Sequence, residues 1–136
     1  MIEEVARAQV IPDVVLPSVG GGGLLSGVVE GLQRNRWDDV PVLAIETEGA
    51  ASFHAAVEAG HPVELERIAS AATSLGAKRV CEQALRCAHE HPVRSLVVSD
   101  YSALVACERF LADHRILVEP ACGAALSITS TTGIRR

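Results

Sequence analysis

Four consecutive glycines, Gly20 to Gly23, constrain this chain more than any other feature. They follow a compact apolar run, Val14 to Val19, that reads as a buried strand despite Pro17. They precede Leu24, Leu25, Val28, Val29 and Leu32, which recur at helical spacing and predict a helix to about Asn35. A glycine run lets the backbone turn sharply and approach a ligand, because no Cβ intervenes. The following helix turns its unpaired N–H groups and its positive dipole end towards that turn, so an anion is bound without a basic side chain. A phosphate is the natural occupant. A P-loop requires Lys after the last glycine, and none follows here. A dinucleotide site fits better: Gly21, Gly23 and Ser26 nearly match G-x-G-x-x-G/A, and Glu46 lies about 20 residues on, where a ribose-binding acid belongs. Residues 13–46 alone leave both ligands open.

The remaining elements alternate. Residues 2–10 predict a short helix ended by Pro12. Pro41 opens a second strand, Val42 to Ile45, and a helix is expected over Ser52 to Ala59, before the turn Gly60-His61-Pro62. Ala69 to Ala77 has no period and reads as a loop. Cys81, Ala84, Leu85 and Ala88 mark a helix stopped by Pro92, and Leu96 to Val98 is a third strand. Asp100 or Ser102 is expected to cap the next helix, which carries Leu104, Cys107 and Leu111 on one face. Ile116 to Val118 reads as a fourth strand, and Pro120 starts a last helix at its favoured first position. The order β-α-β-α-α-β-α-β-α predicts an α/β fold of parallel strands with right-handed crossovers. Gly27 and Gly31 are expected to let their helix approach the sheet closely. Only two Phe, one Trp and one Tyr are present, so the core is aliphatic, as in sheets covered on both faces. The 136 residues suit a single domain, and its tail, Ile128 to Arg136, loses the helical period and is expected to be irregular.

Composition narrows the partners. The net charge is −5 and basic residues never exceed two in a row, which argues against nucleic acid. No apolar run approaches the roughly 20 residues that span a bilayer, and the acidic start MIEEVARAQV is unlike a signal peptide, so a cytoplasmic location is expected. Cys81, Cys87, Cys107 and Cys122 match no zinc spacing and read as small buried thiols.

The segments SVGGGGLLSGVVEGL, AIETEGAASFHAA, TSLGAKRV and LVEPACGAALS separate the two ligands. In order and spacing, from about Ile11 to Ser127, they closely resemble the C-terminal part of fold-type II pyridoxal 5'-phosphate (PLP) enzymes, best the serine/threonine dehydratases. The resemblance implies part of a three-layer, Rossmann-like large domain, with residues 1–136 forming a single partial domain. It implies that Gly20, Gly21, Gly22, Gly23 and Leu24 hold the PLP phosphate and that Ser74 lies against the cofactor. It also implies a monovalent cation, K+, held by the Glu46 carboxylate, the Ser52 hydroxyl and the carbonyls of Gly20, Ala50, Leu75 and Ala77. Glu119 falls beside the expected cofactor site or is a surface charge, and Cys122 is expected to pack within its helix. His54, His61, His89, His91 and His114 carry no assigned chemistry. The implied parent reaction is deamination of L-serine to pyruvate and of L-threonine to 2-oxobutanoate, by a homodimer.

The chain has one lysine, Lys78, at a place where the family has no catalytic lysine. The resemblance therefore implies a fragment that is inactive alone, without the Schiff-base lysine. The alternative is a non-catalytic PLP- or phosphate-binding or regulatory module that pairs with a full-length subunit; an NAD-binding domain stands behind both.

Overall fold

The structure is a computed structural model and describes residues 1–131. In chain order its elements are α1 (Ile2–Arg7), α2 (Gly23–Arg34), β1 (Val42–Thr47), α3 (Ser52–Ala59), α4 (Glu82–Glu90), β2 (Val93–Val98), α5 (Asp100–His114) and α6 (Pro120–Thr131), with a 3-10 turn at Thr73–Leu75.

β1 and β2 pair in parallel, from Val42 opposite Val93 to Thr47 opposite Val98. The run before the glycines lies along the other side of β1, touching it through parallel bridges at Val15–Val42 and Ser18–Ile45. Pro17 explains why these remain isolated bridges rather than a strand. It has no N–H to donate, although its carbonyl accepts from the Ile45 amide at 2.9 Å. β1 is thus central, and alternate residues face opposite layers. Val42 and Ala44 join Leu25, Val28, Val29, Leu32, Phe53, Ala84 and Leu85 on one side. Leu43 and Ile45 meet Leu75, Ala103, Ala121 and Ala124 on the other. Helices on both faces of a parallel sheet form the expected α/β arrangement, and fully burying each large aliphatic side chain contributes about 1.5–3 kcal/mol.

Several expectations are corrected. Ile116 to Val118 is no strand: Arg115 ends α5 in a left-handed turn (φ 58°), and Ile116 and Leu117 stay exposed. The cap of α5 is Ser99, whose hydroxyl accepts from the Ser102 amide, rather than Asp100 or Ser102. Residues 128–131 continue α6 instead of becoming irregular; the rest of that tail lies outside the described residues. The hydroxyls of Ser127 and Thr129 donate back to the carbonyls of Ala124 and Leu126, at 2.7 and 2.8 Å, so these polar groups are absorbed without ending the helix. Gly31 receives α1 rather than the sheet, since a Cβ there would sit 2.7 Å from Ile2 Cβ, while Gly27 meets nothing within 4 Å. Of the four free cysteines, Cys87 and Cys107 are buried but Cys81 and Cys122 are exposed. Burial pushes both buried thiols up.

Candidate functional site

The glycine loop turns where the bridged run ends and α2 begins. Gly22 is the N-cap of α2 and adopts a left-handed conformation (φ 91°). A Cβ there would lie 2.6 Å from Ala84 Cβ and 2.9 Å from Val80 Cγ2. Only glycine meets both demands. Its carbonyl accepts from the amide and hydroxyl of Ser26, at 3.0 and 2.9 Å. The Gly21 carbonyl accepts from the Cys81 amide at 3.0 Å, which fastens the loop to the start of α4. Gly21, Gly23 and Leu24 remain exposed. The first amides of α2 have no acceptor within the helix.

Gly20 lies against the loop that carries Ser74, Leu75 and Ala77. Its Cβ position is 3.3 Å from Leu75 Cα and 3.4 Å from the carbonyl oxygens of Ser74 and Leu75. Beside it a cleft of about 530 Å³ is lined by Ser18, Leu24, Ser74, Leu75, Glu119 and Cys122, among others. Cys122 therefore opens into this cleft instead of packing within its helix, and Glu119 lines the same wall. The Ser18 hydroxyl donates to the Ala121 carbonyl at 2.6 Å, tying the entry of the glycine loop to the start of α6. Sequence pattern alone did not single out Ser18; its signal was a hydroxyl residue shortly before the glycines.

Of the residues expected to hold a cation, Glu46 lies near the end of β1 and Ser52 at the start of α3. Glu46 is fully buried. Its Oε1 accepts from the Phe53 amide at 2.8 Å and its Oε2 from the His54 amide at 2.7 Å. The carboxylate thus satisfies the first turn of α3. Burial nevertheless outweighs these two bonds and pushes its pKa up to about 7. Ser52 is buried, and its hydroxyl is the buried side-chain oxygen left without a hydrogen-bond partner among the described residues. Ala50 and Leu75 pack in one cluster with Ile45, and the Leu75 carbonyl accepts from the Ala77 amide at 2.7 Å. Glu46 and Ser52 thus meet at the start of α3, while Gly20 lies against Leu75, which shares its cluster with Ala50.

Lys78 is exposed, and its ammonium donates to the Glu66 carbonyl at 2.9 Å. His91 is buried, with Nε2 donating to the Val40 carbonyl at 2.7 Å, which is a structural tie. No cluster of three His, Cys, Asp or Glu suited to a metal ion occurs among the described residues. Among them, too, no helix is long and apolar enough to cross a membrane.

The sequence profile of the family described as pyridoxal-phosphate dependent enzyme matches residues 1–132. A human protein named L-serine dehydratase/L-threonine deaminase is 58% identical over 116 residues, which are 85% of this chain and 35% of that protein. An L-serine dehydratase of Saccharomyces cerevisiae is 38% identical, over 94% of this chain and 40% of its own length. The crystal structure of a fungal L-serine ammonia-lyase from Rhizomucor miehei superposes with a TM-score of 0.93 at 42% identity, covering 96% of this chain and 42% of that one. The chain thus spans well under half the length of these relatives. With its parallel sheet covered on both faces and its glycine loop at the mouth of α2, it belongs to the pyridoxal-phosphate dependent enzymes of fold type II.

Proposed function

We propose that this chain forms the phosphate- and cation-binding part of a PLP-dependent dehydratase that deaminates L-serine and L-threonine. The observation that carries the reading is Gly22: its left-handed N-cap, closed off by Ala84 and Val80, leaves the first amides of α2 free beside exposed Gly21 and Gly23. Gly20 to Gly23 and Leu24 hold the cofactor phosphate through these amides and the helix dipole. Ser74 and Leu24, on the cleft wall, flank the ring. Bound there, the cofactor supplies an electron sink for the bonds broken at the substrate's α-carbon.

A monovalent cation, K+, completes the platform through the Glu46 carboxylate, the Ser52 hydroxyl and the carbonyls of Gly20, Ala50, Leu75 and Ala77. Two observations support this: among the described residues the Ser52 oxygen has no partner, and no positive charge offsets the buried Glu46. A hard cation supplies both needs. The dinucleotide reading loses support because Glu46 is buried on the amides of α3 and is not presented to a ribose.

Covalent attachment of the cofactor and transfer of the α-proton need a lysine amine. Lys78 is committed to the Glu66 carbonyl on the surface, so turnover requires a lysine beyond this chain's own, and the chain alone is inactive. The same observation favours a second reading, a non-catalytic module that pairs with a full-length subunit, within the homodimer that the resemblance implies. Four thiols without a disulfide suit a reducing compartment, the cytoplasm.

The test is a thermal-shift series with PLP, pyridoxal, inorganic phosphate and NAD, beside a pyruvate assay with L-serine and PLP. PLP and phosphate are expected to stabilise the chain; at 100-fold excess over Kd the gain is about 2.7 kcal/mol. Pyridoxal and NAD are expected to add little, and no pyruvate should form. Stabilisation by NAD alone contradicts the phosphate reading, and pyruvate from the chain alone contradicts the lysine argument.

A further inference from the structure

The loop that faces Gly20 is not held by secondary structure. Between α3 and α4 it contains a single 3-10 turn, yet Ser74 and Leu75 lie so close to the glycine loop that a Cβ on Gly20 would stand 3.3–3.4 Å from them. Beside the burial of its Ala72 and Leu75 side chains, it is held by a side-chain relay that joins β1, the loop itself and α5. Thr47, fully buried at the end of β1, lies 2.7 Å from the Ser70 hydroxyl. Ser70 donates to Asp100 Oδ1 at 2.7 Å, and the Ala71 amide donates to Asp100 Oδ2 at 2.7 Å. The Ala72 amide donates to the Ser70 oxygen at 3.0 Å.

The proton inventory fixes the direction of the relay. A carboxylate only accepts, so the single Ser70 proton goes to Asp100. Thr47 must then be the donor in the remaining pair, and Ser70 Oγ is fully coordinated, with one bond given and two received. Asp100 is the first residue of α5, where the helix dipole favours its negative charge, so it is a firm anchor. One further stitch, the Ala69 amide donating to the Gly49 carbonyl at 2.9 Å, joins the same loop to the turn after β1.

We propose that Asp100, acting through Ser70 and the Ala71 amide with Thr47 bracing Ser70 from β1, is the positioning residue that sets the 69–77 loop against the glycine loop and so shapes the phosphate and cation sites from outside them. Asp100 need touch no ligand in this role; it acts through the loop. The inference rests on the proposed function for its ligand half and on hydrogen bonds alone for its structural half.

The experiment combines amide hydrogen exchange with PLP titration on the full chain and on Asp100→Ala, Ser70→Ala and Ser70→Thr. In the two alanine variants, exchange at residues 71–77 should rise roughly tenfold or more while β1 and α2 keep their protection, and the Kd for PLP should rise several-fold. Ser70→Thr keeps the hydroxyl and should stay near wild type in both readouts. Unchanged exchange at 71–77 overturns the proposal, as does acceleration spread equally over β1 and α2. Wild-type PLP affinity in the face of a loosened loop, or Ser70→Thr behaving as Ser70→Ala, overturns it too. If the unmodified chain binds no PLP, the functional reading fails while the exchange measurements still decide the role of Asp100.

Discussion

Replacing Gly22 by alanine tests the geometry of the glycine loop without any ligand. Two costs add. The left-handed backbone at φ 91° disfavours an L-residue by about 1–2 kcal/mol. The new methyl would stand 2.6 Å from Ala84 Cβ, 2.9 Å from Val80 Cγ2 and 3.1 Å from Cys81 Sγ. Ala84 and Val80 are buried and have no flexible end to swing aside, so overpacking costs a further 1–3 kcal/mol or so. The total, about 2–5 kcal/mol, is a large share of the roughly 5–15 kcal/mol that holds a typical domain. With a urea slope of about 2 kcal/mol/M, the unfolding midpoint should fall by about 1–2.5 M. Gly23→Ala is the matched control. A Cβ there meets nothing within 4 Å, and alanine is the better helix former, so its midpoint should hold or rise slightly. Gly22→Ala unfolding at the wild-type midpoint, or Gly23→Ala falling as far, would overturn this view of the loop.

Further outcomes concern the buried carboxyl and the orphan hydroxyl. Burial raises the pKa of Glu46 in the folded chain to about 7, so between the ordinary carboxylate range and pH 7 the folded state binds more protons than the unfolded one. Stability without K+ should therefore fall as pH rises through that window and level off above it. The total loss is about 3 kcal/mol, since each tenfold gain in proton affinity on folding corresponds to about 1.4 kcal/mol. Urea midpoints across pH 4.5–8 measure this, and Glu46→Gln should flatten the slope. Ser52→Ala removes a buried hydroxyl that lacks a partner among the described residues, so without K+ it should be neutral or mildly stabilising. In 100 mM K+ the wild type alone should gain stability over a tetramethylammonium control, measured by thermal melting.

The parallel α/β layers were legible because the strand cores and helical faces repeat cleanly around Val42 to Ile45 and Leu24 to Leu32. The glycine loop was legible because so few structures need four glycines. Failures came where local pattern and tertiary pairing part company. Ile116 to Val118 has a strand's composition, but no described strand lies beside it to accept its backbone. Pro17 reduces a six-residue apolar run to two bridges. The tail from Ile128 lacks a helical period, yet the helix runs on, with the Thr129 hydroxyl bonding back to the Leu126 carbonyl. Glu46 stood out as an acid closing a strand, but its bonds to the amides of Phe53 and His54 depend on where α3 begins relative to β1, which periodicity leaves undetermined. Asp100 and Ser70 lie 30 residues apart, and a loop without period offers no spacing that would link them.

Whether free amides at the start of α2 grip the cofactor phosphate can be read from the backbone amide resonances of the chain during a PLP titration. The largest shifts are expected at Gly21, Gly22, Gly23 and Leu24, reproduced by inorganic phosphate and absent with pyridoxal. Saturable shifts centred elsewhere, with these four amides unmoved, would contradict the phosphate grip.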